Sequence, residues 1–181
     1  MGLLEPSLVE AFLRQYKRLL AEIAGKPLDG VVDFEQARES LYENGLNETY
    51  PMGSEYDPTF VDAVRNAQYG TFIYAKKYRQ GYALKYEDST WYFAQALTTP
   101  LEELVPDWVV IVTAVLPFHD QYVCDGLIVD RHTLIGKNMI HDMIQELKAE
   151  RAKYSSKKAI ERARQGGPVV GRLRLWKSNE W

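Results

Sequence analysis

Residues 71–97 read TFIYAKKYRQGYALKYEDSTWYFAQAL, and this stretch predicts three short β-strands in succession. Aromatic and β-branched residues dominate Thr71–Tyr78, Tyr82–Glu87 and Thr90–Leu97, as is typical of strands. The links between them are two short, turn-forming segments at 79–81 and 87–89. Since links this short cannot join parallel strands, the pattern indicates antiparallel pairing.

Two further strands are predicted downstream. Trp108–Phe118, WVVIVTAVLPF, is a nearly continuous apolar run, and Gln121–Asp130, QYVCDGLIVD, returns after a turn at His119-Asp120. Together the five strands predict an antiparallel meander over residues 70–130, in consecutive order. The last two strands are apolar on both faces, so they are expected to form its buried centre.

Helical patterns flank this sheet on both sides. Three N-terminal helices are expected, starting near Ser7, Asp33 and Asp57, and one long helix is expected over 137–164. Residues 169–176, VVGRLRLW, predict a short strand or an ordered tail. The predicted fold class is therefore α+β, with one domain over 1–181. It consists of a helical part (1–69), the antiparallel sheet (70–130), the long helix (137–164) and a basic tail (165–181).

Composition places the chain among ordinary globular proteins, with 46% hydrophobic and 26% charged residues. Its single cysteine, Cys124, excludes an internal disulfide and suits a reducing compartment. The apolar run at 108–118 is much shorter than the ~20 residues of a membrane-spanning helix. We therefore expect a cytoplasmic protein without membrane association.

Charge is distributed unevenly along the chain. Residues 147–177 hold ten basic and two acidic residues, a net charge of +8, while the remainder carries −11. A dense basic face attracts phosphate backbones or acidic proteins. The residues predicted to make such contacts are Lys153, Lys157, Lys158, Arg162 and Arg164. The alternative is a solvated helix end, or one neutralised by the acidic remainder of the chain.

Histidines and acids recur near the last predicted hairpin. The candidates for an active site of a hydrolase-like enzyme are Asp125, His119, His132 and Asp130. Their spacing matches no metal-binding motif, so we expect no metal and no cofactor. The alternative is that these residues serve only as turn and cap residues.

Asp125-Gly126 interrupts an otherwise apolar strand, since both residue types are disfavoured in strand interiors. This predicts a β-bulge, with Asp125 opposite the small residue Ala114. An acid in an apolar sheet has a raised pKa unless it is paired. The simpler interpretation is a bulge whose carboxylate bonds a neighbouring backbone N–H.

Tyrosines are concentrated in the first three strands. If Tyr78 pairs with Tyr82 and Tyr74 with Tyr86, one sheet face becomes rich in tyrosine. Such a face could stack bases, or it could simply be a cross-strand packing ladder. The residues of this candidate aromatic surface are Tyr74, Tyr78, Tyr82, Tyr86 and Tyr92.

These patterns favour a non-enzymatic binding or regulatory protein that contacts nucleic acid or an acidic partner through its basic C-terminal helix. One alternative is the hydrolase-like enzyme around Asp125. The other is a protein-interaction module or homo-oligomer that uses an edge strand or the C-terminal tail, where Trp176 and Trp181 need something to pack against. No motif names a reaction.

Overall fold

The computed structural model describes residues 2–78, 81–87 and 89–155, with the backbone alone described for 150–155. The predicted end of the long helix, and the strand or tail at 169–176, lie outside the described residues.

Four helices precede the sheet: α1 (Pro6–Ala24), α2 (Gly30–Glu43), α3 (Leu46–Thr49) and α4 (Pro58–Arg65). The three predicted N-terminal helices correspond to α1, α2 and α4, whereas the single turn α3 lies within a stretch expected to be a loop. Proline at the first position sets two of the starts, because the N–H that proline lacks is not needed there. Glu5 rather than Ser7 therefore caps α1, and Asp57 caps α4 as predicted.

Six strands follow: β1 (Gln68–Tyr78), β2 (Gly81–Tyr86), β3 (Trp91–Gln95), β4 (Val109–Phe118), β5 (Gln121–Cys124) and β6 (Val129–Leu134). A short helix, α5 (Leu101–Leu104), lies between β3 and β4. The expected fifth strand is thus divided into β5 and β6, and the division falls at Asp125-Gly126.

The strand order is β1-β2-β3-β5-β4-β6, and β1 also pairs with β4. The predicted consecutive antiparallel order is wrong, because β3 pairs with β5 in parallel through Ala94 and Tyr122. The connection containing α5 is long enough to carry the chain past β5, so β4 can pair with β1. With both edges of β1 paired, strands β1 to β5 close on themselves, and β6 is left with β4 as its one neighbour among the described strands.

The β1–β2 register differs from the predicted one. Tyr74 pairs with Leu84 rather than Tyr86, and Tyr78 pairs with Gly81 rather than Tyr82. The pairing of Tyr78 with Gly81 next to the turn already displaces the register by one residue, and the shift between Tyr74 and Lys76 displaces the pairs farther from the turn by one more.

Alternate residues of β1 to β5 form one buried cluster inside the closed sheet, including Phe72, Ile111 and Cys124. A second cluster joins α1, α2 and α4 to β4 and β5, where Phe12 contacts Phe118 edge to face. The expectation that strands four and five lie at the buried centre fits β4 and β5, which contribute to both clusters, whereas residues 126–130 of the predicted fifth strand are half-buried or exposed.

The last described helix is α6 (Lys137–Ser155). Met143 and Leu147 pack against Ala83 and Trp91 of the sheet. Among the described residues, no helix is both long and apolar enough to cross a membrane.

Candidate functional site

Asp125 lies at the break between β5 and β6. Its N–H bonds the Ala114 carbonyl at 3.0 Å, which is the alignment that the tight His119-Asp120 turn predicts. Gly126 follows with φ 84°, a left-handed conformation that glycine adopts without steric cost. The chain therefore leaves the β4 ladder here and turns the Asp125 carboxylate toward the helices.

Four groups converge on this carboxylate, which is only 2% exposed as a residue. Thr113 donates a hydrogen bond of 3.1 Å and the Leu127 N–H one of 3.0 Å. Tyr16 of α1 donates at 3.1 Å, and the guanidinium of Arg38 on α2 lies at 3.3 Å. The simpler interpretation of a carboxylate bonded to a neighbouring backbone N–H thus holds, with a buried ion pair in addition.

Arg38 is fully buried, which is rare for an arginine and requires a paired charge. Its Nη1 also donates to the Leu127 carbonyl, and its guanidinium carbon lies 5.4 Å from the centre of the Tyr69 ring. Among the described residues, its Nε and Nη2 have no hydrogen-bond partner. The electron-rich face of Tyr69 partly compensates for this, because it attracts the delocalised cation.

Protonation in this cluster is strongly biased toward one state. Burial tends to lower the pKa of Arg38, but the charge and hydrogen bond of Asp125, together with smaller contributions from Tyr16 and Tyr69, outweigh it and the pKa is raised. Burial raises the pKa of Tyr16 well above its usual value, and Tyr42 and Asp125 add to the effect. Arg38 is therefore cationic and Tyr16 a neutral donor at physiological pH, so neither is poised for proton transfer. The cluster fastens α1 and α2 to the strand break.

Cys124 precedes Asp125 and faces the closed interior of the sheet. Burial raises the pKa of its thiol, and Asp125 adds to the shift. Since the thiolate is the reactive form, Cys124 is an inert packing residue in the folded protein.

His119 lies at the tip of the β4–β5 hairpin, with φ 51°. Its ring stacks edge to face on Phe118 at 4.5 Å, and it borders a shallow cleft of about 460 Å³. Asp57 shares the cleft, and its pKa is lowered mainly by bonds from Thr59, with a smaller contribution from His119. The cleft is thus a surface feature, and Asp57, one of the two acids that line it, already serves as a helix cap.

His132 and Asp130 form a separate pair on β6. The His132 Nδ1 lies 3.3 Å from Asp130 Oδ2, and the histidine side chain is 87% exposed. Asp130 pairs with Ile111, eight residues along β4 from His119, so these residues are roughly 25 Å apart at ~3.3 Å per residue. Asp125 lies six residues from His119, roughly 20 Å by the same measure.

The four candidate catalytic residues therefore occupy three separate places. Within the described ranges, no three histidine, cysteine or acidic side chains form a group that could hold a metal ion.

The candidate aromatic surface is divided by burial. Tyr74 and Tyr82 are fully buried inside the closed sheet, with ring centres 6.0 Å apart. Tyr78, Tyr86 and Tyr92 remain half-buried. Two of the five tyrosines are thus core residues, because sheet closure turns their face inward.

The basic residues can be located only in part. Lys153 belongs to α6, while Lys157, Lys158, Arg162 and Arg164 lie outside the described residues.

Arg38 and Tyr16 were missed as site residues at the sequence level. A signal was present for Arg38, because Phe34, Ala37 and Leu41 place it at i, i+3, i+4 and i+7 on the inward stripe of α2. A charge at such a position predicts a buried partner, but the sequence alone does not say which acid it is.

Comparison with protein-family models, curated proteins and solved structures found no match to this chain.

Proposed function

We propose that this chain is a non-enzymatic binding protein whose basic segment, residues 147–177, contacts the phosphate backbone of nucleic acid. The observation that carries the proposal is the separation of charge, +8 in this segment against −11 in the remainder. Lysines and arginines that neutralise phosphates release condensed counterions, which supplies most of the free energy of sequence-independent binding. The acidic remainder repels the same polyanion, so the contact is confined to the segment.

The attachment of α6 supports this proposal. Met143 and Leu147 are each 2% exposed and fasten the first half of the helix to the sheet. Lys85 of β2 forms an ion pair with Glu146 beside them. The basic segment thus begins at Leu147, the last of the described α6 side chains that pack against the sheet, so its first residues are fixed to the folded body.

The hydrolase alternative gains no support from the geometry. Asp125 is held by four groups in a closed cluster, and His119 and His132 lie far from it. A nucleophile and its base need to lie within hydrogen-bond reach of each other.

The edge-strand alternative rests on β6, which has β4 as its one neighbour among the described strands. Its residues Asp130 and Arg131 put charge along that edge, and charge is a common protection against strand addition. The geometry therefore favours the basic segment over β6 as the binding element.

The test is a salt titration of binding to fluorescently labelled 20-mers of single- and double-stranded DNA, followed by anisotropy. Five phosphate contacts predict a slope of about −4.5 for log K against log[salt] on duplex DNA. Replacing the five predicted contact residues with alanine should bring the slope close to zero: Lys153, Lys157, Lys158, Arg162 and Arg164.

A matched control removes five exposed basic residues that have no ion pair among the described residues: Arg14, Lys17, Arg65, Arg131 and Lys137. It changes the total charge equally and should leave the slope unchanged. Absence of binding at ~50 mM salt, or an equal loss in both variants, would reject the proposal. Binding to polyglutamate but not to DNA would redirect it to an acidic protein.

A further inference from the structure

Helix α2 carries a row of acids on its outer side. Glu35, Glu39 and Glu43 recur every four residues and form one surface stripe, here called the acidic stripe. Val31 stands one turn before it and is 64% exposed, as is Val32. The stripe therefore combines aligned negative charge with an exposed apolar end.

None of the three stripe carboxylates has an ion-pair partner among the described residues. The single basic residue of α2, Arg38, is buried against Asp125. The nearby Lys26 pairs with Asp33 at 3.0 Å. Helix α1 differs, because there Arg18 and Glu22 pair at 2.8 Å across one turn.

Like charges four residues apart destabilise a helix, so the stripe is a surface that a cationic partner would stabilise. The negative charges of the stripe also act on a half-buried tyrosine. Burial raises the pKa of Tyr69, and the charges of Glu39 and Glu43 add to the shift. The stripe therefore lies at the rim of the buried cluster rather than away from the body.

We propose that the acidic stripe is the docking surface for the basic segment of the same chain, and that this contact competes with nucleic acid. The competition rests on the proposed function, whereas the contact itself does not. Charge complementarity is the first argument, since the segment carries +8 and the stripe is unneutralised. Exposed ion pairs of this kind are individually weak, so the contact is reversible and sensitive to salt.

The length of chain supplies the second argument. Twenty-two residues separate Ser155 from Lys177. They can span at most roughly 75 Å, whereas a body of this size has a diameter of roughly 40 Å. The far end of the basic segment, at Lys177, can therefore reach α2 from the end of α6. A tethered segment also has a high effective concentration, which favours this partner over a second copy.

Zero-length crosslinking of the full chain tests the contact directly. At ~20 mM salt a carbodiimide should join Lys177, the lysine at the far end of this stretch, to Glu39 or Glu43 within monomers, as read by mass spectrometry, and ~0.5 M salt should abolish the links. Absence of these links, or their appearance only in covalent dimers, would overturn the intramolecular contact.

Competition is tested by the triple variant Glu35→Gln, Glu39→Gln and Glu43→Gln in the DNA titration. It should bind DNA about fivefold more tightly than the parent at low salt, since three exposed pairs together contribute on that order. The matched control is Glu10→Gln, Glu87→Gln and Glu103→Gln, which alters total charge equally on exposed residues elsewhere. Equal tightening in both variants would overturn the competition. If no variant binds DNA, the proposed function fails while the crosslinks still decide the contact.

Discussion

Removal of Arg38 tests whether the buried cluster stabilises the fold. Arg38→Met replaces the cationic side chain with an apolar one of similar length, so Asp125 loses its countercharge in a site that water does not reach. Breaking a buried pair from one side costs about 3–5 kcal/mol. Tyr16, Thr113 and the Leu127 N–H still donate to the carboxylate, so we expect about 3 kcal/mol.

The reciprocal change, Asp125→Asn, leaves a buried cation whose remaining contacts are all neutral: the Leu127 carbonyl, the Tyr69 ring and the amide oxygen of the new side chain. Two acceptors and a ring compensate the charge here, against three hydrogen-bond donors in Arg38→Met, so about 4 kcal/mol is expected. The double variant contains neither charge and should be more stable than the sum of the two losses predicts, by about 2 kcal/mol or more.

Urea unfolding followed by circular dichroism measures these differences. With a slope of about 2 kcal/mol per molar, the Arg38→Met midpoint should fall by about 1.5 M. If the charge variants do not fold, Tyr16→Phe tests the same cluster more mildly, because it removes one hydrogen bond to Asp125. It should lower the free energy of unfolding by about 1–2 kcal/mol. Single losses below about 1 kcal/mol, or a double loss equal to the sum, would refute the coupling argument.

Three further predictions concern separate parts of the chain. Burial works against ionisation of Glu22, but bonds from Arg18 and Tyr56 lower its pKa below 4.5; its stabilisation is therefore present above that pH and lost as the pH falls through the lowered value. Glu22→Gln should flatten the acid limb of a Tm-versus-pH profile, whereas the exposed Glu103→Gln should not, and identical limbs would contradict this. Cys124 should resist iodoacetamide at pH 8 and react within minutes in ~6 M urea, because burial raises its pKa; modification of the folded protein would show that the thiol is accessible. Gly81 has φ 146°, and a Cβ there would lie 2.6 Å from the Ala94 carbonyl oxygen, so Gly81→Ala should cost about 2 kcal/mol in a thermal melt. Gly136→Ser, at an open position, should change stability by less than about 0.5 kcal/mol, and equal effects would exclude this steric explanation.

Local features could be predicted from the sequence because their causes lie within a few residues. The apolar stripe of α1, the Asp57-Pro58 start of α4 and the two-residue turn at His119-Asp120 all depend on neighbouring side chains and backbone preferences. The α+β class and the approximate strand positions follow from the same kind of pattern. An irregularity at Asp125-Gly126 also follows, since a short acid and a glycine are both poor strand residues, but the predicted bulge within one strand was wrong, because the structure ends β5 there and begins β6 at Val129.

The tertiary structure alone decided the arrangements that join distant residues. Pairing of β1 with β4 and of β3 with β5 closes the sheet, and closure places Tyr74 and Tyr82 inside while Tyr78 and Tyr86 stay half-buried. Arg38 and Asp125 are 87 positions apart in the sequence. The residues around each of them predict only a helix or an interrupted strand, not the ion pair. Such contacts depend on how whole surfaces of distant elements pack together, and the free energy of that packing cannot be inferred from a short stretch of sequence. The charge of the basic segment is a property of the sequence. That Glu35, Glu39 and Glu43 lack an ion-pair partner among the described residues follows only from the structure, because it depends on which side chains pack around α2.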